Sequence, residues 1–123
     1  MKYSIENQKI IAVIDNYFKG IFEGDVSKLK SIFHPNALLF GDIANEAYFK
    51  HVDEYLEIVN NRKSPKENNE NFKMEIISIE ILGNNAVAKL HVPMLGFNYY
   101  DLLSLSKVDG QWLIVNKLFT HIL

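Results

Sequence analysis

The 123-residue sequence predicts an α+β fold in which three early helices pack on one face of a curved, mostly antiparallel β-sheet. Three observations predict it. From Ala86 to Leu123 the chain reads as three consecutive strands, AVAKLHVPM, FNYYDLLSLSK and QWLIVNKLFTH. The last two flank Val108-Asp109-Gly110, and Asp-Gly between β-branched and aromatic runs is a strong hairpin signal. Apolar stripes at helical spacing fall almost entirely before this meander.

The elements follow in order. Ser4 caps a helix running to about Glu23, whose Ile11, Ile14, Phe18, Ile21 and Phe22 form one stripe, and Gly24 ends it. Asp25 caps a shorter helix with Val26, Leu29, Ile32 and Phe33 on one face. Pro35 stops that helix, because proline disfavours helical geometry in the residue before it. Ala37 to Phe40 is a short apolar strand ended by Gly41-Asp42. Ile43 to Lys50 reads as loop with a short strand. Val52, Tyr55, Leu56 and Val59 mark a third helix, with Asp53 and Glu54 in its first turn, where the helix dipole favours negative charge. Asn60 to Asn71 is polar, contains Pro65 and lacks apolar periodicity, which predicts an exposed, mobile loop. Phe72 to Leu82 is a strand with Ile77, Ile79 and Ile81 on one face, and Gly83-Asn84-Asn85 turns it into the meander. No repeat or linker divides residues 1–123, so one domain is expected.

Composition narrows the function. A net charge of −2 supplies no field to attract nucleic acid or anionic membrane. The absence of Cys excludes disulfides, thiol catalysis and Cys-zinc sites. Met1 to Gln8 is polar and lacks an apolar signal core, and no apolar run is long enough to span a membrane. A cytoplasmic protein is the default expectation. His34, His51, His91 and His121 are scattered without metal-ligand spacing, so no metal or cofactor is expected. The basic residues Arg62, Lys63 and Lys66 read as a solvated loop.

Three segments carry a resemblance over essentially the whole chain: YFKGIFEGD (Tyr17 to Asp25), SIFHPNALLFG (Ser31 to Gly41) and DLLSLSKVDGQWLIVNK (Asp101 to Lys117). They resemble the nuclear transport factor 2-like superfamily, a cone formed by a bent sheet around a long first helix. Within it, the last two segments are most similar to small bacterial proteins labelled "putative lumazine-binding", neighbours of the SnoaL-like polyketide cyclases. The resemblance implies an apolar pocket inside the cone and, commonly, a homodimer through the sheet. The superfamily hosts both enzymes and non-catalytic binding proteins, so the fold does not choose among them.

The segment around Tyr17 is also similar to the first helix of ketosteroid isomerase, and Asp101 opens its strand much as an Asp does there. In that enzyme the pair is an oxyanion hole whose Asp is kept protonated by an apolar site. The isomerase's catalytic base position falls on Gly41. Asp42 is the next residue, and a one-residue slip in a strand faces the other way. His91 is a second candidate base, placed at the pocket mouth or on the outer face.

The alternative for Asp101 is an ion pair with Lys117. A three-residue bulged loop at Val108-Asp109-Gly110 places the two directly opposite. A two-residue loop sets Asp101 against Leu118, with Lys117 on a diagonal. For Tyr17 the alternative is a core tyrosine with its hydroxyl bonded.

Three functions remain open. One is a pocket for a small apolar or aromatic molecule, walled by Phe18, Phe22, Phe40, Tyr99 and Phe119, with Tyr17, Asp101 and Lys117 as polar groups. The second is a cofactor-free isomerase, dehydratase or cyclase using Tyr17 and Asp101 with Asp42 or His91. The third is a protein-interaction module. The meander carries apolar side chains on both faces, expected as Leu103, Leu105, Leu113 and Val115 against Trp112, Ile114 and Leu118. A homodimer through the outer face is therefore expected.

Overall fold

The computed structural model describes residues 4–123; Met1, Lys2 and Tyr3, part of the polar start noted above, lie outside the described residues. Helix α1 spans Ile5–Glu23, and Ser4 caps it by accepting the Asn7 N–H at 3.1 Å. Gly24 ends it at φ +71, a left-handed conformation that glycine adopts without steric cost. Asp25 caps α2 (Val26–Ile32) by accepting the Lys28 N–H.

The chain then enters β1 (Phe33–Ile43), and two expectations change. Helix α2 ends before Phe33, and Pro35 sits inside β1, in the irregular stretch where its register with β6 shifts. Proline has no N–H to give to a ladder and fits at such an irregularity. Gly41-Asp42 does not end the strand either. A Cβ on Gly41 would lie 2.2 Å from the Phe119 carbonyl oxygen, so glycine is what lets β1 approach its neighbour there. Ala44 and Asn45, at φ 51° and 70°, turn β1 into β2 (Glu46–His51), which covers the stretch expected as mainly loop.

Helix α3 (Val52–Asn61) starts with a capping box. The His51 ring accepts the Asp53 N–H, and Glu54 accepts the His51 N–H. The following polar segment is not the fully exposed loop expected. Ser64 and Pro65 are buried. Ser64 and Glu67 bond each other's N–H groups, the Lys66 N–H donates to the Phe22 carbonyl, and Glu70 accepts the Leu95 N–H at 2.9 Å. Phe72 adds an apolar anchor, its ring edge-on to Phe22.

Strands β3 (Glu75–Leu82), β4 (Asn85–Met94), β5 (Phe97–Val108) and β6 (Gln111–His121) complete a six-stranded sheet in the order β2-β1-β6-β5-β4-β3. Among the described strands, only β1 and β6 pair in parallel. The three helices pack against this curved, mostly antiparallel sheet. Core side chains of α1 (Ile10, Ile14, Tyr17, Phe18, Ile21) meet those of the sheet (Leu39, Ala88, Leu90, Leu103, Leu105, Ile114). None of the described helices is long and apolar enough to cross a membrane.

Two bulges decide which side chains face this core. In β3, Ile76 pairs with Leu90 and Ser78 with Lys89, leaving Ile77 unpaired and 48% exposed, so Ile76 joins Ile79 and Ile81 against the core instead of Ile77. In β6, Leu105 pairs with Ile114 and Ser104 with Asn116, leaving Val115 unpaired. Trp112 and Ile114 therefore point inward before the bulge, and Lys117 and Phe119 after it. The expected division of the meander's faces is corrected accordingly. Leu103 and Leu105 share the core with Trp112 and Ile114, and Leu118 lies on the outer face.

Candidate functional site

A cavity of about 110 Å³ opens between α3, the end of β1, β2 and the ends of β4, β5 and β6. Each strand contributes by alternation: Val92 and Met94 from β4, Tyr99 and Asp101 from β5, Lys117 and Phe119 from β6. Helix α3 contributes Tyr55, Ile58 and, just past its end, Arg62, whose spacing places them on one face. Ile43 and Tyr48 close the wall from β1 and β2.

The polar floor is a buried chain of contacts. The hairpin loop is the two-residue Asp109-Gly110 turn, with Val108 opposite Gln111, yet the Val115 bulge puts Asp101 opposite Phe119 instead of Leu118. Lys117 pairs with Leu103, diagonal to Asp101 on the same face. Its Nζ stands 3.9 Å from Asp101 Oδ2 and 3.4 Å from the Tyr55 hydroxyl. It also lies over the rings of Tyr17, Tyr55 and Phe119 at 5.3, 4.7 and 5.1 Å, where the ring faces favour a cation. The Tyr17 hydroxyl donates to Asp101 Oδ2 at 2.5 Å.

Burial sets the protonation states. It raises the Asp101 carboxyl above its ordinary range, while Lys117 and the Tyr17 hydrogen bond pull it back. It raises the Tyr17 phenol well above 10.0, and the Asp101 charge adds to the shift. Tyr48 is pushed up to about 12 by burial, and Tyr99 is also raised by burial. The phenols thus stay neutral across the physiological range, and Tyr17 acts as the donor to Asp101. Its hydroxyl is spent on that carboxylate, so Tyr17 supports Asp101 from behind the cavity wall and offers no free donor to a ligand.

The sequence candidates separate into three places. Tyr99, Asp101, Lys117 and Phe119 line the cavity. Tyr17 and Phe18 are core, and Phe22 packs against it. Phe40, Asp42 and His91 do not come to the cavity. Phe40 is 42% exposed on the outer face and stacks on Phe49. Asp42 alternates with inward Leu39 and Gly41 on β1, opposite Thr120. His91 stacks on Tyr100 and meets Asn98 through Nε2 at 2.6 Å, again on the outer side. The sequence reading missed Tyr48, Tyr55 and Arg62 as cavity residues. Tyr55 and Arg62 stand seven residues apart, two helical turns along the apolar stripe of α3, and that spacing was the available signal.

Comparison with known proteins places this geometry. The model of the family described as "Putative lumazine-binding" matches residues 5–120. The chain belongs to that family. Its fold is that of the nuclear transport factor 2-like proteins. An NTF2-like protein of unknown function from Methylobacillus flagellatus is 27% identical, with a TM-score of 0.87, over 99% of this chain and 97% of that one. A second, from Shewanella baltica, is 24% identical with a TM-score of 0.85, over 100% and 98%. Among curated proteins, Aldolase FrzH of Cladobotryum sp is 26% identical over 118 residues, 94% of this chain and 91% of FrzH. The lumazine-binding family assignment and the shared fold support a ligand-binding pocket scaffold.

Proposed function

We propose that this member of the family binds a small apolar or aromatic molecule in the cavity above Asp101. The observation that carries the reading is the pairing of aromatic walls (Tyr48, Tyr55, Tyr99, Phe119) with a fixed polar floor of Asp101 and Lys117. At about 110 Å³ the space suits a body of about one ring, since an apolar cavity of ~150 Å³ holds benzene. Native mass spectrometry of the purified protein tests for a retained ligand. Titration of lumazine, followed by its own fluorescence, tests the family's label directly. Phe119→Ala should weaken whatever binds. A protein that carries no ligand and takes up neither the bicyclic lumazine nor any single-ring probe would overturn the reading.

A second reading, cofactor-free chemistry on a carbonyl compound, is favoured by the buried Tyr17–Asp101–Lys117 chain and by the aldolase name of the fungal relative. Asp101 would then move the proton, because Asp42 and His91 lie on the outer face. Exchange of deuterium from solvent into the α-carbon of a bound ketone, lost in Asp101→Asn, is the result that would rank this reading first.

We also propose a homodimer through the outer sheet face, where Phe40, Ile77, Val87, Leu102 and Leu118 are each at least 40% exposed. Light scattering at micromolar concentration should give twice the chain mass, and Leu118→Asp should halve it. A monomeric wild type would end this proposal.

A further inference from the structure

We infer that the cavity is built for a monoanion, an aromatic or short apolar carboxylate, and that Arg62 is the residue that binds its carboxylate. The inference rests on the pocket reading above and adds the charge of the ligand. Arg62 caps the end of α3, its backbone N–H bonded to the Ile58 carbonyl, and its side chain lines the cavity beside Tyr99, Asp101 and Lys117. Its Nε and Nη2 atoms are buried and have no hydrogen-bond partner among the described residues. A guanidinium cannot shed its proton to escape that situation, and buried donors are normally satisfied. These two atoms form the side-on fork of the guanidinium, the edge that receives both oxygens of a carboxylate.

The neighbouring charges leave the fork unpaired. Glu54, Glu57 and Lys50 share a surface groove with Arg62 on its solvent side, but among the described residues no carboxylate lies within ion-pair distance of it. Lys117 is already engaged by Asp101, the Tyr55 hydroxyl and three ring faces. Inside the cavity, Arg62 and Lys117 bring two positive charges against the single carboxylate of Asp101. The balance is positive whether Asp101 is ionised or protonated. A neutral ligand can offer the fork a carbonyl but no charge, a cation would be repelled, and a monoanion satisfies both charge and hydrogen bonds. Tyr99 and Phe119 then face the ligand's apolar body.

Matched probes test this: benzoate against benzamide, and butanoate against butanamide, by calorimetry on wild type, Arg62→Gln and Arg62→Lys. The acid should bind wild type at least about tenfold tighter than its amide, a difference of about 1.4 kcal/mol. Arg62→Gln should abolish the preference of acid over amide, and Arg62→Lys should retain only part of it, because lysine keeps the charge and loses the fork. Added salt should weaken the acid and not the amide. Amides that bind as well as acids, or a preference that survives in Arg62→Gln, would overturn this inference and leave the pocket reading intact. Binding of none of the four probes would also overturn this inference, while the pocket reading stands or falls on lumazine and on a retained ligand.

Discussion

Replacing Lys117 by Met keeps the length and apolar stem of the side chain and removes its charge. The structure sets the size of the effect. Nζ and Asp101 Oδ2 are 3.9 Å apart, with the two side chains 7% and 2% exposed. Opposite charges at that distance attract by about 4 kcal/mol at an effective dielectric constant of roughly 20. The variant is spared the cost of burying the ammonium but leaves Asp101 buried without its cation, so we expect a net loss of about 3 kcal/mol at neutral pH. At about 4 °C per kcal/mol for a chain of this size, Tm should fall by roughly 12 °C.

The loss should depend on pH with a definite sign. The Asp101 pKa is raised above 3.8 by burial, so Asp101 takes up its proton more readily in the folded state than in the unfolded one. That contribution is fully present below the unfolded value and is lost as pH rises through the folded one. Removing Lys117 raises the folded value further, so the deficit of Lys117→Met should shrink on acidification toward the ordinary carboxylate range. The double variant Lys117→Met/Asp101→Asn should recover most of the loss, because no buried charge is left alone. Urea melts across the acid range measure all three proteins. A single variant as stable as wild type at neutral pH, or one whose deficit grows on acidification, would refute the reasoning.

Other outcomes follow from individual contacts. Tyr17→Phe removes the donor to Asp101 Oδ2 and should cost about 1.5–3 kcal/mol, measured by urea denaturation at neutral pH. Glu6 accepts from Lys107 and from the Trp112 indole, which hold its carboxyl at about 2 against an ordinary 4.5. Its contribution is present above 4.5 and lost as pH falls toward 2, so Glu6→Gln should flatten the acid limb of the stability profile across that window. Gly41→Ala forces a methyl against the Phe119 carbonyl and should destabilise by about 1–3 kcal/mol, with ligand affinity lost as Phe119 shifts, both read by melts and calorimetry. Glu70→Ala should release the segment after α3 from the β4–β5 turn, seen as lost exchange protection at the Leu95 amide.

Features written in local chemistry were legible in the sequence. Ser4, Gly24 and Asp25 cap or end helices through their own side chains or backbone freedom, and the Asp-Gly hairpin was read the same way. Features that depend on distant partners were not. Gly41 resembled a strand end, and only the approach of Phe119 explains it as a strand interior. Ile77 alternated well in the sequence, and only the pairing of β3 with β4 shows it displaced outward. At the candidate site, Asp101 and Lys117 were brought together by diagonal pairing, though through a register neither loop model predicted. Arg62 was hidden because a charged residue in a polar run looks solvated until the elements folding around it are known.

The unpaired Val115 acts on β6 as a frameshift acts on a gene. Upstream of it, even-numbered side chains face the core; downstream, odd-numbered ones do. If the bulge closed with Val115 kept, so that Val115 paired with Ser104, Lys117 and Phe119 would turn toward the outer face and their neighbours would come inside. The scaffold would persist while its contents were exchanged for those of its exterior. An ungapped alignment of this strand with one that lacks the bulge would, beyond Val115, match residues that point to opposite sides of the sheet.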